Sequence, residues 1–349
     1  MARIDAFTDE QARALVNLQQ RYEVWIEAER ELALLPYDLR RKTVGGRAYL
    51  YEIADRSGNG KSLGPWSEEA EERFQAYRTT KEAARQRLGS SREALAEMAR
   101  LCRALRTPAL PSEAGAILRE ADRRGLLGSS LLVVGTNAMP AYTLEAGGFI
   151  REAPDETDDF DLAWAGMGGE EPGTSESAID GLRDGAKDNL VWSLLKAVDP
   201  TYTVNTERSF QARNAKAYEV ELLVAPSRAA SMHRSDRPKP VPMPEQEWLL
   251  LGRPVSRVVI CRDGSPARIV APDPRFFALQ KLWMSEKPSR NALKKPKDRK
   301  QGLALLDAVA MSMPQYPLDE AFVQALPAEL APHYAAWSVN RPSAPAPAW

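Results

Sequence analysis

Histidine and cysteine are nearly absent from this chain, with two of each in 349 residues. With only His233 and His333, a histidine-rich metal site and an H-E-x-x-H protease are excluded, and a Ser-His-Asp hydrolase has little to work with. Cys102 and Cys261 stand far apart in the sequence. That excludes a disulfide framework or a cysteine-rich zinc module and fits a reducing compartment. No apolar stretch reaches the roughly 18 residues of a membrane span. The start, MARIDAFTDEQAR, lacks the apolar region of a secretory signal. A cytoplasmic protein with no membrane partner is therefore expected. Net charge is also missing: 47 Lys and Arg against 48 Asp and Glu leave −1 and no global argument for a nucleic-acid partner. What remains for catalysis is carboxylates, lysines and bound ions.

The chain has 44% hydrophobic and 27% charged residues, the balance of a globular protein. At about 150 residues per domain, its length suggests two or three domains. The first third reads as helical. Thr8 with Gln11 is a capping box, and Leu15, Leu18, Tyr22 and Ile26 follow at helical spacing up to Pro36. A second helix is expected after Ser67, a third capped by Ser90 and Glu93, and a fourth opening at Pro111-Ser112. Between the first two, Arg47–Ile53 reads as a strand followed by a glycine-rich loop. In that loop Gly60-Lys61-Ser62 resembles the end of a P-loop. Asp55 takes the place of its first glycine, and Gly64-Pro65 interrupts where the phosphate-binding helix must start. The reading is a flexible basic loop, with Lys61 on a mobile segment near a pocket mouth.

From Ser129 the pattern changes. Ser130–Val134 is a short apolar run, as in a buried strand, and it stops at Gly135-Thr136 where a helix can begin. Phe160–Trp164, Tyr202–Asn205 and Ala217–Val224 read as further strands, and residues 178–198 as a helix. A connector over 227–245 leads to a hairpin turned at Asp263-Gly264. Helices are then expected over 274–286 and 296–311, with a helical tail. Charge is uneven: residues 145–188 hold 13 acids against three bases, and residues 281–300 hold eight bases against two acids. Brought together, such clusters suit a metal–phosphate site; left apart, they are solvated faces.

Two segments carry the chemistry, Thr157-Asp158-Asp159-Phe160-Asp161-Leu162 and Tyr218-Glu219-Val220-Glu221-Leu222. Strand alternation puts Asp159 and Asp161 on one face, with Phe160 in the core and Asp158 on the opposite face. Carboxylates about 6–7 Å apart on one strand face are near enough to share metal ions, and a cation, a shared proton or water must relieve their repulsion. A polar edge strand facing water is the plainer alternative.

A buried strand ending in Gly-Thr, an acidic strand and a third acid on a later strand together resemble the nucleotidyltransferase superfamily that includes DNA polymerase β. GTNAMPAY, TDDFDLAW, YEVELLVAP, EWLLLGRPV and PDPRFFALQKLWMS, with KKPKDRKQG after them, are similar to a bacterial nucleotidyltransferase-like family of it. The likeness spans about residues 45–310. Thr136 stands where the superfamily has Gly or Ser, and the third acid is Glu rather than the more usual Asp.

The resemblance implies an α+β fold: a helical region over 1–125, a mixed-sheet nucleotidyltransferase core over 126–226, and a hairpin-plus-helices region over 227–349. It implies Asp159, Asp161 and Glu221 as catalytic, metal-holding carboxylates, with Glu219 two residues away on the same face as the alternative third acid. It implies Gly135, Thr136, Asn137 and Lys281 as nucleotide-binding, and Mg²⁺ or Mn²⁺ as the cofactor. Lys294, Lys295, Lys297, Arg299 and Lys300 are expected to face phosphate, or else to form an ordinary basic surface. Trp164, Trp192, Trp248 and Trp283 are expected in the core. The activity so implied moves an NMP from an NTP, ATP first, to a hydroxyl of a nucleic acid or protein. The alternatives are a low-turnover nucleotide- or partner-binding protein of the same fold, as in a toxin–antitoxin or defence system, and a nucleic-acid binder using residues 281–300.

Overall fold

A computed structural model describes residues 3–154, 159–166, 190–232, 236–339 and 341. Strand β1 (Ile4–Ala6) leads into helix α1 (Asp9–Leu34), which starts as its sequence predicts. Thr8 Oγ1 accepts from the Gln11 amide, and the Gln11 side chain accepts from the Thr8 amide. The helix buries Ala14, Leu18, Tyr22 and Ile26 against Leu95, Ala99 and Cys102 of α2 (Glu68–Ala104).

Two local expectations are corrected here. The break at Ser90 does not occur, and α2 runs unbroken past Gly89-Ser90-Ser91. Its buried stripe, Tyr77, Leu88, Leu95, Ala99 and Cys102, continues through that segment, so burial overrides weak local helix formers. The glycine-rich loop is also shorter than expected. Strands β2 (Asp38–Val44), β3 (Arg47–Ile53) and β4 (Gly60–Pro65) form an antiparallel meander. Lys61 is thus on a strand, 3.5 Å from Glu52 on the neighbouring one, and not on a mobile loop.

Beyond β5 (Ala109–Leu110) and α3 (Ser112–Arg123), the chain builds a mixed sheet from β6 (Leu131–Val134), β8 (Asp159–Trp164), β9 (Thr203–Val204), β10 (Gln211–Arg213) and β11 (Glu219–Val224). Its order is β6-β8-β11-β10-β9, with β8 and β11 parallel and the other neighbours antiparallel. Strand β7 (Gly148–Ile150) pairs instead with β1. A 3-10 turn at Gly135–Ala138 joins β6 to α4 (Met139–Glu145), and α5 (Leu190–Val198) and α6 (Pro226–Ala229) complete this part. The rest of the helix expected over 178–198 lies outside the described residues.

A second 3-10 segment, Pro244–Leu250, precedes the hairpin of β12 (Val255–Cys261) and β13 (Pro266–Ala271), to which β5 adds in parallel. Alternation on β12 serves two cores: Val258 and Ile260 pack with α1 and α2, while Val255, Val259 and Cys261 join the main core. That main core runs continuously from Leu110 to Trp337. Helices α7 (Pro274–Glu286), α8 (Lys295–Ser312), α9 (Glu320–Gln324) and α10 (Ala331–Ser338) finish the α+β fold. The expected placement of the tryptophans holds: Trp248 and Trp283 meet edge to face with centroids 5.0 Å apart, Trp164 is buried, and Trp192 packs on the core. Among the described residues, no helix is long and apolar enough to cross a membrane.

Helices α7 and α8 touch most closely at Gly302. A Cβ there would lie 2.7 Å from the Ala278 carbonyl oxygen and 2.8 Å from the Leu282 side chain. Gly302→Ala is therefore expected to destabilise by about 1–3 kcal/mol, the cost of overpacking, although Ala is the better helix former. Gly89→Ala in α2, where a Cβ meets nothing within 4 Å, is expected to stabilise by about 0.5–1 kcal/mol. Urea unfolding of the two variants should move in opposite directions; a shift of the same sign in both would show that α7 and α8 are not clamped at this glycine.

Candidate active site

Parallel pairing of β8 with β11 sets the geometry. Asp159 stands beside Glu219, and Asp161 beside Glu221. Phe160 and Leu162, like Val220 and Leu222, turn into the core, so all four acids share the other sheet face. Glu219 and Glu221 nevertheless have different surroundings. Glu219 is held by the Arg213 guanidinium of the neighbouring strand, whereas Glu221 accepts from the Gln211 amide and lines a cavity of about 250 Å³ with Asp161. Asp159 meets the Lys294 ammonium at 3.2 Å. Asp158 lies outside the described residues.

At the end of β6, Gly135 has φ of +65°, a left-handed conformation that suits glycine. Its backbone passes so near Asp161 that an added Cβ would sit 2.0 Å from Oδ2. Gly135 thus has two independent reasons to be glycine, and both fix where the carboxylate sits. The neighbouring side chains hold the frame. Thr136 and Asn137 are buried. Asn137 Nδ2 donates to the Asp159 carbonyl at 2.8 Å, and Thr136 Oγ1 accepts from Gln301 Nε2 at 3.4 Å. Gly135 and Lys281 line the cavity itself.

Three cations face the acids across this cavity: Lys281, Arg290 and Lys294. Lys281 is buried and donates to Asp298 Oδ1 at 3.0 Å, while Arg290 takes Asp298 Oδ2 at 2.7 Å. Asp298, 2% exposed, is the anchor that makes burial of Lys281 affordable. Of the other basic residues expected to face phosphate, burial beside Lys281 lowers the Lys297 pKa. Lys295 is half-buried and Lys300 exposed, and Arg299 faces a different cavity beside Glu286 and His333. The partners Gln211, Asp298 and Gln301 escaped the reading of the sequence. They bond to site residues from β10 and α8, at separations of 10, 17 and 165 residues that no local pattern marks.

Asp161 carries the electrostatic signature of the site. Desolvation first, then the charges of Asp159 and Glu221, push its pKa up to about 7 against the pull of Lys281 and Lys294. Among the described residues, no three His, Cys, Asp or Glu side chains are gathered as a finished metal-holding group. The donor chemistry suits a hard divalent cation all the same: Asp159, Asp161 and Glu221 offer only carboxylate oxygens, and the surroundings of Asp161 oppose its ionisation unless further positive charge is brought to it.

A family model described as nucleotidyltransferase matches residues 112–327. The chain belongs to this family. The match starts at α3 and ends after α9, and it contains every residue of the cavity just described. No curated protein and no solved structure matches the chain. As a nucleotidyltransferase it transfers nucleotidyl groups, and the resemblance carried by GTNAMPAY, TDDFDLAW and YEVELLVAP is borne out.

The raised Asp161 pKa has a consequence for the metal-free nucleotidyltransferase. A carboxyl titrating near 7 in the folded chain and near 3.8 in the unfolded one lets the unfolded state ionise first as pH rises. Stability conferred by the neutral form is complete below about pH 4 and is lost as pH climbs through 7. Asp161→Asn cannot ionise. In chelator, its melting temperature relative to wild type is expected to rise steadily between pH 4 and 7 and to level off above. A difference independent of pH would show that Asp161 is ionised at no cost.

Proposed function

We propose that this nucleotidyltransferase moves an NMP from an NTP, with ATP as the first candidate, to a hydroxyl of a nucleic acid or a protein, and that it does so with Mg²⁺ or Mn²⁺. The observation that carries the reading is the in-register pair Asp161–Glu221, facing one cavity together with Lys281, Arg290 and Lys294. Asp159, Asp161 and Glu221 would hold the metal. When bound, it supplies positive charge at the reacting phosphate and lowers the pKa of the acceptor hydroxyl.

The chain's own residues do the rest by position and charge. Lys294, Arg290 and Lys281 lie where they can neutralise the triphosphate and the departing pyrophosphate. The close approach of Gly135 leaves backbone, rather than side chain, beside the carboxylates. In the step itself a bond forms between the acceptor oxygen and the α-phosphorus. The bond from that phosphorus to the bridging oxygen of pyrophosphate breaks, and the hydroxyl proton leaves to solvent. No histidine is needed, which accords with a chain that has only two.

The test is incubation of the protein with each α-labelled NTP and Mg²⁺ in cell extract, followed by identification of the labelled species. Wild type is expected to label an acceptor, while Asp161→Asn and Glu221→Gln lose at least about 100-fold, the scale of removing one preorganised contact to a transition state. Glu219→Gln, at the residue held by Arg213, is expected to lose far less. Equal losses at Glu219 and Glu221 would overturn the assignment of the third acid. Nucleotide binding without transfer to any acceptor would favour the low-turnover binding protein instead.

A further inference from the structure

A second cleft shares no lining residue with the catalytic cavity. It opens between α1 and α2 on one side and α3 with the β12–β13 turn on the other, and it holds about 370 Å³. Four arginines line it, Arg92, Arg100 and Arg103 from α2 and Arg119 from α3, against one acid, Asp263. That acid belongs to the turn, where its Oδ1 accepts from the Ser265 amide at 2.9 Å. Arg92 meets Glu29 at 2.9 Å in the open, a contact of little energy. Among the described residues, Arg100, Arg103 and Arg119 make no ion pair. Arg119 is half-buried, and its Nη1 donates to the Pro266 carbonyl at 3.4 Å. Side chains three apart on a helix are neighbours, so Arg100 and Arg103 repel each other with no acid between them. In a chain whose net charge is −1, composition does not account for such a cluster.

We propose that this cleft binds a single strand of nucleic acid, which makes nucleic acid rather than protein the acceptor of the transfer. The choice of acceptor rests on the nucleotidyl-transfer reading; the binding itself does not. A guanidinium recognises phosphate by two parallel hydrogen bonds, so unpaired arginines suit phosphate better than any other common anion. Arg92 and Arg103 lie about 16 Å apart along α2, at about 1.5 Å per residue. That spread exceeds the phosphates of one nucleotide and suits the successive phosphates of a strand. An acidic peptide would meet the same charge but would have no use for Trp25. This half-buried indole lines the cleft beside the arginines, and an aromatic ring among cations is what an unpaired base stacks on. In a duplex the base faces are already stacked on one another, so the single strand is the form that fits.

The experiment measures binding of a fluorescein-labelled RNA of mixed sequence, about 12 nucleotides long, to the full chain by anisotropy, without NTP or metal, at several KCl concentrations. Affinity is expected to fall with salt by a log–log slope of about −0.7 for each arginine on a phosphate, hence about −2 for Arg100, Arg103 and Arg119 together. Arg100→Gln with Arg103→Gln, at two exposed positions where folding is not at stake, is expected to flatten the slope by about 1.4 and to weaken binding about 25-fold at about 0.1 M salt. Arg119→Gln is expected to cost about 5-fold more. Lys300→Gln, at an exposed basic position of α8, is expected to change neither slope nor affinity. Binding that is indifferent to salt, or that survives the double variant unchanged, overturns the proposal, as does an equal loss at Lys300. A dinucleotide that binds as tightly as the RNA overturns the strand, and polyglutamate that displaces the RNA at equal charge overturns the choice of nucleic acid. All of these outcomes leave transfer of NMP, read with labelled NTP, untouched. Salt-dependent RNA binding lost in the double variant, in a protein that transfers no NMP, upholds the cleft and overturns the reaction instead.

Discussion

The register between β8 and β11 is the constraint on which this site depends. Side chains on a strand alternate, so a slip of either strand by one residue would turn its pair of acids, Asp159 and Asp161 or Glu219 and Glu221, into the core and bring Phe160 or Val220 to the cavity. Burying a pair of carboxylates is prohibitive, and so the hydrophobic alternation that builds the core also guarantees the acidic face. Parallel pairing adds a second effect. It sets Asp161 and Glu221 side by side on neighbouring strands, close enough for the Glu221 charge to oppose the ionisation of Asp161.

Like charges held together must be offset from elsewhere, and α7 and α8 supply the offset. These helices meet at Gly302, where only hydrogen fits, and that contact brings Lys281 on one of them to Asp298 on the other. Asp298 takes Lys281 and Arg290 at once, satisfying both oxygens of a nearly inaccessible carboxylate. The result is a wall in which Lys281 and Arg290 stay in place without needing the acids opposite, and the two walls line one cavity. Lys294, at the N-terminus of α8, is the direct ion-pair link between them, through Asp159.

Much of this was legible in the sequence, and the parts that were not share a physical cause. Thr8–Gln11 and Ser67 announce their helices because capping is local chemistry, and the hairpin at Asp263-Gly264 announces itself by its turn. The D-x-D alternation announced one acidic face for the same reason. Ser90 misled because a local breaker signal is weaker than a buried stripe, and Lys61 because a glycine-rich segment can still pair as an edge strand. The choice between Glu219 and Glu221 was invisible in one strand. It depends on Arg213 and Gln211 of the neighbouring β10, a strand too short and too polar to signal itself. Asp298 and Gln301 were hidden among lysines, where a charge count sees only a basic run.

A nucleotidyltransferase with two histidines in all must work by placing charge rather than by shuttling protons through imidazole. The elevated Asp161 pKa is the structural mark of that strategy. Carboxylates arranged to repel are poorly matched to the empty cavity and well matched to one filled with cationic charge, so part of the folding energy is withheld until ligand arrives. The acidic wall thus leaves an electrostatic demand that the rest of the fold is stable enough to carry. The continuous core from Leu110 to Trp337 makes that possible, because it is built without any of the site's charged groups.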